Sequence, residues 1–558
     1  MHFECESRSY YSRAIVLNLL GRFKEAIQSY DTAIHYDVNF FEAYLNRGVI
    51  QKELRLFEEA LSSFGDAVLL KPDDARAFNN RGSILLELRQ YDAAISDLNR
   101  AIRINPEYGE AYNNRGNVLK DLGCFTEALA DYKAAKEHKA SYVSAWSNYL
   151  FTMNYITEID EPFRIEEARK FGKVLTLLVG EKIDLLRPHH SNTLLRIGFV
   201  SADFMNHPVG YFLKSLLLES TKLHLELVAY SNNRYQDDLT NEFRSYFHKF
   251  RNIYDLNDSA AANLIISDQV DILIDMAGHT SGNRLTLFGL KPAPVQVSWL
   301  GYFATTGVAE IDYILGDKFV TPTYEEHQFT ERIKRFPETY FCFTPPSILT
   351  EIEALPALRN GYITFGCFNN FSKVNEAVIA VWAEILGAVG KSRLFLKAAQ
   401  FKDHNFVEKT KIQFRHFGVL PEQLCFEGPT ERTAYFYAYN KIDIALDPFP
   451  YPGGTTSVEG LWMGVPVITK KGNRFISHNG ETIAHNCGQQ DWIANDNKDY
   501  IEKAVRFSSD LQGLANLRSG LRAQVLASPL FDAKRFARNF EKVMFEIWEE
   551  YRTGQQKC

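Results

Sequence analysis

Three segments recur at a spacing of 34 residues in the first quarter of this 558-residue chain: EAYLNRG at 42–48, RAFNNRG at 76–82 and EAYNNRG at 110–116. Alanines recur at the same interval further along each unit. They are Ala26, Ala60, Ala94 and Ala128, followed by Ala33, Ala67, Ala101 and Ala135. Small residues at fixed points of a repeating unit allow two antiparallel helices to pack closely. The spacing therefore predicts a stack of helix pairs.

A period of 34 residues with a proline closing some units is typical of tetratricopeptide repeats (TPRs). Pro72 and Pro106 end two of the units, where proline stops the second helix. The first unit departs from the pattern, because Ala14 takes the glycine position and Val38 the proline position. We expect four units and a partial fifth at SAWSNYL, which together form a superhelical arm over residues 1–155.

One repeat position of this arm carries asparagine four times. These residues are Asn46, Asn80, Asn114 and Asn148. A side-chain amide both donates and accepts hydrogen bonds, so a column of them can hold an extended peptide backbone without reading its sequence. The alternative is that asparagine is simply tolerated at an exposed helix position. The column favours an arm that binds a protein acceptor, although adaptor proteins use TPR arms as well.

From about residue 190, short apolar strands alternate with helices. LLRIGFVSADF (194–204) is the first strand, and a second series begins at YITFGCF (362–368). This alternation predicts parallel sheets with helices on both faces, hence two Rossmann-like lobes with a cleft between them. Neither series has GxGxxG after its first strand, which argues against a dinucleotide-dependent dehydrogenase. We place a helical linker at 156–190, the first lobe at 191–345 and a nucleotide-binding lobe at 346–558.

The densest motif in the second lobe is LDPFPYPGGTTSVEGLWMGVPVIT at 446–469. Its glycine pair, which includes Gly454, lets the backbone approach a ligand closely. Thr455 and Thr456 then present hydroxyls and backbone amides at the start of a helix, which is a site for phosphate. Glu459, one turn later, is placed to bind ribose hydroxyls. The alternative is a glycine-containing loop with ordinary threonine capping of the helix.

Composition limits the compartment and the partners. A net charge of −7 is unlike a protein that coats nucleic acid, which would present a basic stripe. The 7 cysteines are scattered without a CxxC pair, which suits a reducing compartment and favours neither a disulfide framework nor a zinc site. We find no apolar run that could span a membrane and no signal peptide. We therefore expect a cytoplasmic protein without membrane or nucleic-acid partners.

Together these motifs resemble the protein O-GlcNAc transferase and SPINDLY family. The resemblance covers nearly all of residues 7–550 and includes four further segments. They are SADFMNHPVGYFL (201–213), GHTSGNRLTLFGLKPAPVQVSWLGYFATTG (278–307), FGCFNNFSKVN (365–375) and SPLFDAKRFARNFEKVMFEIWEEYR (528–552). It implies a TPR superhelix followed by the GT-B architecture, in which a sugar nucleotide lies between two Rossmann-like lobes. The sequence has no long insertion between the lobes, and in this respect it resembles bacterial members of the family.

The resemblance also implies roles for single residues. These are His207 beside the donor sugar and the acceptor, Lys373 at the donor diphosphate, Asn370 at the neighbouring nucleotide-contacting position, Leu300 and Gly301 at the sugar pocket with His279 nearby, and Arg432 near the uracil. Breaking the bond between sugar and nucleotide leaves negative charge on the diphosphate, which needs a cation and oriented amides. We expect Lys373 to be that cation, and the alternative is a solvated charge that caps a helix. His207 is either a general base toward the acceptor hydroxyl or a positioning group, and both interpretations stay open.

Members of this family act with inversion and without a metal, and close relatives use UDP-GlcNAc. The resemblance therefore implies transfer of GlcNAc to serine or threonine of a protein held by the arm, with no metal or cofactor. Gly454, Tyr435 and Phe303 differ from the animal pattern and leave the donor open, with GDP-fucose and UDP-glucose as alternatives. Transfer to a small molecule and an inactive TPR adaptor are alternatives of other classes, and homo-oligomer formation stays open.

Overall fold

The computed structural model describes residues 2–180, 182–183, 194–348 and 350–555. The chain divides into two compact units, Met1–Thr152 and Met153–Cys558. The first unit is helical and the second contains two parallel sheets, in agreement with the predicted fold class. The predicted boundary between linker and first lobe, at residues 190 and 191, lies outside the described residues. No helix in the described part of the chain combines the length and the apolar character needed to cross a membrane.

The first unit is a series of helix pairs. Its helices are α1 (His2–Leu19), α2 (Phe23–Tyr36), α3 (Phe41–Glu53), α4 (Phe57–Leu70), α5 (Ala75–Glu87), α6 (Tyr91–Ile104), α7 (Gly109–Asp121), α8 (Phe125–His138) and α9 (Val143–Met153). The repeated alanines, such as Ala60 and Ala94, are completely buried. They permit the close packing of the helices that the sequence predicts.

The glycine of each NRG segment lies where the two helices of a pair approach most closely. A Cβ atom at these positions would lie 2.6–2.8 Å from a side chain of the second helix. Gly48 faces Phe64, Gly82 faces Leu98 and Gly116 faces Tyr132. A separation this short is below van der Waals contact, so these positions accept only glycine without a shift of the helices.

The arginine of the NRG segment joins the same two helices. Arg81 Nε donates to Asp97 Oδ2 at 2.6 Å, and Arg115 Nη2 donates to Asp131 Oδ1 at 2.6 Å. Both aspartates are largely buried. Two of the three residues of the NRG segment, the arginine and the glycine, therefore serve the packing of a single helix pair.

Replacing Gly116 by alanine should destabilise the arm by about 1–3 kcal/mol, because the added methyl group would overlap the Tyr132 ring. Gly65 in α4 is the matched control, since nothing lies within 4 Å of its Cβ position. Alanine there should stabilise the helix by about 0.5–1 kcal/mol. Hydrogen exchange of peptides from the arm measures both changes locally. Equal exchange rates in the two variants would contradict this account of the repeat glycine.

The second unit begins with α10 (Glu161–Val179), which precedes the first lobe. The sheet of this lobe has seven parallel strands in the order β3-β2-β1-β4-β5-β6-β7. The strands are β1 (Leu195–Ser201), β2 (Leu225–Ser231), β3 (Lys249–Asn252), β4 (Ile272–Asp275), β5 (Val295–Ser298), β6 (Tyr313–Gly316) and β7 (Arg332–Arg335). The central strands are apolar on both faces because helices cover both sides of the sheet.

The sheet of the second lobe has six parallel strands in the order β10-β9-β8-β11-β12-β13. They are β8 (Thr364–Cys367), β9 (Arg393–Lys397), β10 (Leu424–Glu427), β11 (Ile444–Leu446), β12 (Val467–Lys470) and β13 (Ile493–Ala494). The strand order reverses between β8 and β11. Ligands of open α/β sheets bind beyond the carboxyl ends of the strands at such a switch point.

The helices of the two lobes complete the layers. They are α11 (Pro208–Leu217), α12 (Asp238–Arg244), α13 (Asp258–Ser267), α14 (Leu285–Gly289), α15 (Pro356–Asn360), α16 (Glu376–Ala388), α17 (His404–His416), α18 (Arg432–Ala438), α19 (Thr455–Trp462), α20 (Asn479–Asn486), α21 (Asn497–Ser509), α22 (Leu511–Leu526) and α23 (Ala533–Gln555). The last helix returns to the first lobe. The ring of Phe540 lies 5.4 Å from that of Trp299 and 6.2 Å from that of Phe199.

A segment of the second lobe, residues 473–482, holds the two lobes together. His478 Nδ1 lies 2.6 Å from Glu481, and its Nε2 lies 3.3 Å from Glu325 of the first lobe. Burial opposes a charge on this ring, but the hydrogen bonds to the two glutamates outweigh it and raise the pKa of His478 to about 9. Tyr340 of the first lobe also donates to Asn479 at 2.8 Å. We call residues 473–482 the interlobe segment.

Candidate active site

The loop after β11 is held by one buried carboxylate, that of Asp447. Its Oδ1 accepts the backbone N–H of Gly453 at 3.0 Å and the hydroxyl of Ser457 at 2.8 Å. Burial raises the pKa of Asp447, while these hydrogen bonds and the nearby Lys373 act in the opposite direction. The carboxylate thereby closes residues 447–457 into a compact loop at the switch point of the sheet.

The two glycines of this loop have different physical roles. A Cβ on Gly453 would overlap Ser457 Oγ and would lie 2.7 Å from both Asp447 Oδ1 and Thr456 Oγ1. Nothing lies within 4 Å of the corresponding position on Gly454. Gly453 is therefore required by the shape of the loop, and Gly454 leaves an open space beside the start of α19.

Helix α19 begins at Thr455 without a capping side chain, because its N-cap residue is Gly454. The first backbone N–H groups of a helix have no partner within the helix. An uncapped helix start combines these donors with the positive end of the helix dipole, and such a start binds phosphate oxygens. The hydroxyl of Thr456 is nearby and donates to Asn369 Oδ1 at 3.1 Å.

Lys373 lies beside this helix start. Its Nζ donates to the carbonyl of Pro452 at 2.9 Å and to Asn369 Oδ1 at 3.3 Å, the oxygen that Thr456 also uses. The same Nζ lies 3.8 Å from the centre of the Tyr451 ring. Burial lowers the pKa of Lys373 to about 8, although Asp447 favours its charge. The structure thus places the ammonium group of Lys373 and the uncapped start of α19 around the side-chain amide of Asn369.

Asn370, in the loop after β8, has a fixed orientation. Its Oδ1 accepts the backbone N–H of Ser372 at 3.1 Å and the hydroxyl of the same residue at 3.0 Å. It also accepts the amide of Gln400, a buried residue after β9. Because three donors converge on the oxygen, the NH₂ group of Asn370 is the part of the side chain left for a further partner.

Glu459 and Arg432, which sequence analysis assigned to separate parts of the nucleotide, form an ion pair. The other carboxylate oxygen of Glu459 accepts the hydroxyl of Tyr435 at 2.8 Å. Burial raises the pKa of Glu459, and the pairing with Arg432 opposes that shift. The guanidinium of Arg432 also lies 4.8 Å from the ring centre of Tyr211, a residue of α11 in the first lobe.

His207 lies at the N-cap of α11, four residues before Tyr211, and positions four apart share one face of a helix. Its Nδ1 accepts the N–H of Val209 at 3.3 Å and lies 3.5 Å from Asp203 Oδ2. Burial lowers the pKa of His207, and Asp203 acts in the opposite direction. Since Nδ1 is engaged with these groups, Nε2 is the ring atom left for a substrate.

The loop after β5 contains the two residues assigned to the sugar pocket. Leu300 adopts a φ of +79°, and a Cβ on Gly301 would overlap the carbonyl of Met276. A left-handed leucine is an unfavourable conformation that persists only where the surroundings impose it. The loop continues to Phe303, whose ring lies 6.3 Å from that of Tyr451. The predicted sugar pocket and the loop of residues 447–457, which we call the diphosphate loop after its predicted ligand, therefore meet at Tyr451.

His279 lies behind this loop and is almost completely buried. Its Nε2 is 2.9 Å from the carbonyl of Thr306, and its ring packs against Phe171 and Tyr302 at 4.9 and 5.1 Å. Burial lowers the pKa of His279 to about 4. The imidazole is neutral at pH 7 and supports the loop from inside.

Three of the four arm asparagines connect successive repeats. Three amides donate to the preceding unit: Asn46 to the Tyr11 hydroxyl at 2.9 Å, Asn114 to Asn79 Oδ1 at 2.8 Å and Asn148 to Asn113 Oδ1 at 2.9 Å. The side chain of Asn80 accepts the amide of Asn79 at 3.3 Å. Each member of the predicted column is therefore half-buried and hydrogen-bonded, with part of its amide left for a further partner.

Several residues of the site were not singled out from the sequence. They are Asp203, Asn369, Gln400, Asp447 and Tyr451. Each follows the carboxyl end of a strand, which is the signal that could have identified them. Their contacts join segments up to 87 residues apart, so their pairings required the structure.

The sequence matches the model of Glycosyl transferase family 41 over residues 182–353 and 343–540. Models of the TPR match residues 11–54, 82–123 and 41–74. The chain therefore belongs to glycosyl transferase family 41. The family and the fold class predicted from the motifs are confirmed.

Individual relatives agree with this assignment. The probable UDP-N-acetylglucosamine–peptide N-acetylglucosaminyltransferase SPINDLY of Solanum lycopersicum is 34% identical over 416 residues, which cover 74% of this chain and 45% of that protein. The corresponding protein SEC of Arabidopsis thaliana is 30% identical over 376 residues, 65% of this chain and 38% of that one. The chain spans about half the length, or less, of these curated relatives. A mutant O-GlcNAc transferase of Thermobaculum terrenum superposes with a TM-score of 0.86 and 30% identity, covering 92% of this chain and 98% of that chain.

Alanine at Gly453 should weaken nucleotide binding by about tenfold or more and destabilise the second lobe by about 1–3 kcal/mol, because the methyl group would displace Ser457 from Asp447. Alanine at Gly454 is the matched control and should change stability by less than about 1 kcal/mol. Calorimetric titration with UDP and thermal unfolding of both variants measure the difference. Similar losses in the two variants would show that Asp447 does not set the shape of this loop.

Proposed function

We propose that the chain transfers N-acetylglucosamine from UDP-GlcNAc to serine or threonine hydroxyls of a polypeptide, with inversion and without a metal ion. Family membership supports a glycosyltransferase, and the names of the relatives support this donor and a peptide acceptor. In this reaction the acceptor oxygen bonds to the anomeric carbon of the sugar. The bond from that carbon to the diphosphate breaks, and UDP leaves with the electron pair.

The observation that carries the proposal is the uncapped start of α19 beside Lys373. A departing diphosphate develops negative charge, and preorganised donors aimed at that charge lower the barrier. The ammonium of Lys373, the first N–H groups of α19 and the NH₂ of Asn370 are such donors. We assign the stabilisation of the leaving group to these groups and expect no metal ion to take part.

The proton of the acceptor hydroxyl must also leave. His207 is neutral near pH 7 because burial lowers its pKa. Its Nε2 can accept that proton in the tautomer whose Nδ1–H is directed at Asp203, which requires Nδ1 to give up the N–H of Val209. Asp203, 3.5 Å from Nδ1, would stabilise the resulting imidazolium. We propose His207 as the general base, with a purely positioning role as the competing interpretation. Loss of activity as the pH falls below about 6.5 would support the base, and a rate independent of pH in that range would contradict it.

Release of nucleotide from a panel of donors tests the proposed reaction. The full chain is incubated in EDTA with UDP-GlcNAc, UDP-glucose or GDP-fucose, with and without an unfolded polypeptide rich in serine and threonine. UDP release from UDP-GlcNAc that rises with the polypeptide is the expected result. Preference for another donor would overturn the donor assignment. A rate of nucleotide release that is the same with and without the polypeptide would indicate a small-molecule acceptor. No release from any donor would favour an adaptor.

Substitution of Lys373 by alanine should lower turnover by at least about 10²-fold, the usual effect of removing one preorganised donor. The pKa of about 8 adds a pH test. Lys373 is charged below that pH, so kcat/KM should fall as the pH rises through 8. Arginine at this position keeps its charge, so Lys373→Arg should lose the alkaline decline even if its rate is lower. Normal turnover of Lys373→Ala, or an unchanged decline in Lys373→Arg, would remove the lysine from this role.

We further propose that the arm holds the polypeptide acceptor through its asparagine column. The amides of Asn114 and Asn148 are oriented by bonds to the preceding repeat. Among the described residues no hydrogen bond reaches their Oδ1 atoms. Oriented amides at a constant spacing suit the backbone of an extended chain, whose N–H and C=O groups also repeat.

Replacement of Asn80, Asn114 and Asn148 by alanine should raise the acceptor KM by about 10- to 10³-fold, because each lost hydrogen bond costs about 0.5–1.5 kcal/mol. The kcat should change little, since contacts far from the reacting atoms contribute equally to ground and transition states. Alanine at Asn79 and Asn113, which are buried, is the control: it removes the inter-repeat bonds but no exposed amide. Equal KM values for the two sets of variants would contradict direct contact with the acceptor.

A further inference from the structure

A cavity lies at the same edge of the second sheet as the diphosphate loop. Its volume is about 500 Å³, within the range of about 300–1,000 Å³ typical of small-molecule sites. Residues after the ends of β12 and β13 line most of it, together with Phe449, Pro450 and Thr157. The carboxyl ends of parallel strands are where ligands of open α/β sheets bind.

The charge of this cavity is positive. Three lysines line it, Lys470, Lys471 and Lys498, with Asp496 as the one carboxylate in the lining. Lys470 Nζ donates to Asn497 Oδ1 at 2.7 Å and lies 3.7 Å from the Phe449 ring centre. Burial lowers the pKa of Lys470, against the attraction of Asp496. Among the described residues, neither Lys470 nor Lys471 forms an ion pair with a carboxylate.

The carboxylate of Asp496 is already used inside the protein. Its Oδ1 accepts the N–H of Asp499 and caps α21 at 2.9 Å. It therefore neutralises the lysines only in part. A partly buried ammonium without an ion-pair partner is costly, and an anionic ligand removes that cost.

The walls of the cavity are fixed by packing. A Cβ on Gly472 would lie 2.5 Å from the Cβ of Ser477, so the backbone at Gly472 packs directly against the Ser477 side chain. Arg474 donates to the carbonyls of Ile156 and Thr157 at 3.0 Å each. These contacts hold the strand-end loop and the Thr157 segment in one arrangement, and the cavity is preformed.

The cavity shares one wall with the diphosphate loop, because Phe449 and Pro450 belong to both. Pro450 lies in the wall, and the carbonyl of Pro452, two residues later, accepts Lys373 Nζ. Two peptide units span at most about 7.6 Å between Cα atoms. Neither Lys373 nor Thr455 at the start of α19 is among the residues that line the cavity.

We propose that this cavity binds a small phosphorylated molecule, distinct from the donor nucleotide sugar. Lysine ammonium groups bind phosphate as point charges, and the side-chain amide of Asn473, which also lines the cavity, supplies a further donor. Phe449 and Pro450 form an apolar wall for the organic part of the ligand. A phosphate monoester matches the excess of positive charge, because it carries about 1.5–2 negative charges at pH 7.

Calorimetric titration of the full chain with phenyl phosphate tests the proposal, with phenol as the uncharged comparison. Changing Lys470, Lys471 and Lys498 to glutamine should weaken phenyl phosphate binding by about tenfold or more. The matched control changes three exposed lysines elsewhere on the chain, Lys409, Lys534 and Lys542, and should bind as the unmodified chain does. Phenol should give no measurable heat at any of these sites.

Two further variants keep the test decisive. Lys373→Ala should retain phenyl phosphate binding, because the proposed cavity does not include that lysine. Lys471→Gln alone, at an exposed position, should weaken binding at least threefold and answers the question if the triple variant fails to fold. Equal affinity in the triple variant and the unmodified chain would overturn the proposal. So would binding lost in Lys373→Ala but kept in the cavity variants, since the probe would then occupy the diphosphate site.

Discussion

The buried carboxylate of Asp447 is the constraint on which the rest of the candidate site depends. A buried carboxylate is unfavourable unless hydrogen bonds and a nearby cation compensate it. Here the N–H of Gly453, the hydroxyl of Ser457 and the charge of Lys373 provide that compensation. The same contacts turn the chain so that α19 starts uncapped beside the lysine. One interaction therefore fixes the shape of the loop, the direction of its amides and the position of the cation.

The first lobe supplies the other half of the site, and its position is set by contacts away from the cleft. The interlobe segment carries His478 between Glu325 and Glu481, and the raised pKa of about 9 keeps this bridge charged at neutral pH. On the other side of the cleft, Tyr211 packs on Arg432, one helical turn from His207. The histidine therefore lies four residues from a side chain of the first lobe that contacts the second lobe. This agrees with electrostatic preorganisation, in which donors are in place before the charge develops.

Local patterns in the sequence were sufficient for the fold and for the family. The 34-residue period predicted the helix pairs, since packing of adjacent helices depends on residues close in sequence, such as Gly116 and Tyr132. The strand-end motif predicted where the second lobe would bind a ligand. Long-range pairings were not predictable: Glu459 joins Arg432 across 27 residues, and His279 is buried behind Tyr302. A sequence motif also does not distinguish Gly453, where a side chain has no space, from Gly454, where it has.

The central claim is that Lys373 and the start of α19 accept a nucleotide diphosphate without help from a metal ion. Calorimetric titration of UDP-GlcNAc into the full chain tests it most directly, in EDTA and then with excess Mg²⁺. The account predicts the same dissociation constant in both conditions and a loss of binding of at least about tenfold in Lys373→Ala. Binding that is absent in EDTA and restored by Mg²⁺, or that is indifferent to Lys373, would contradict the account.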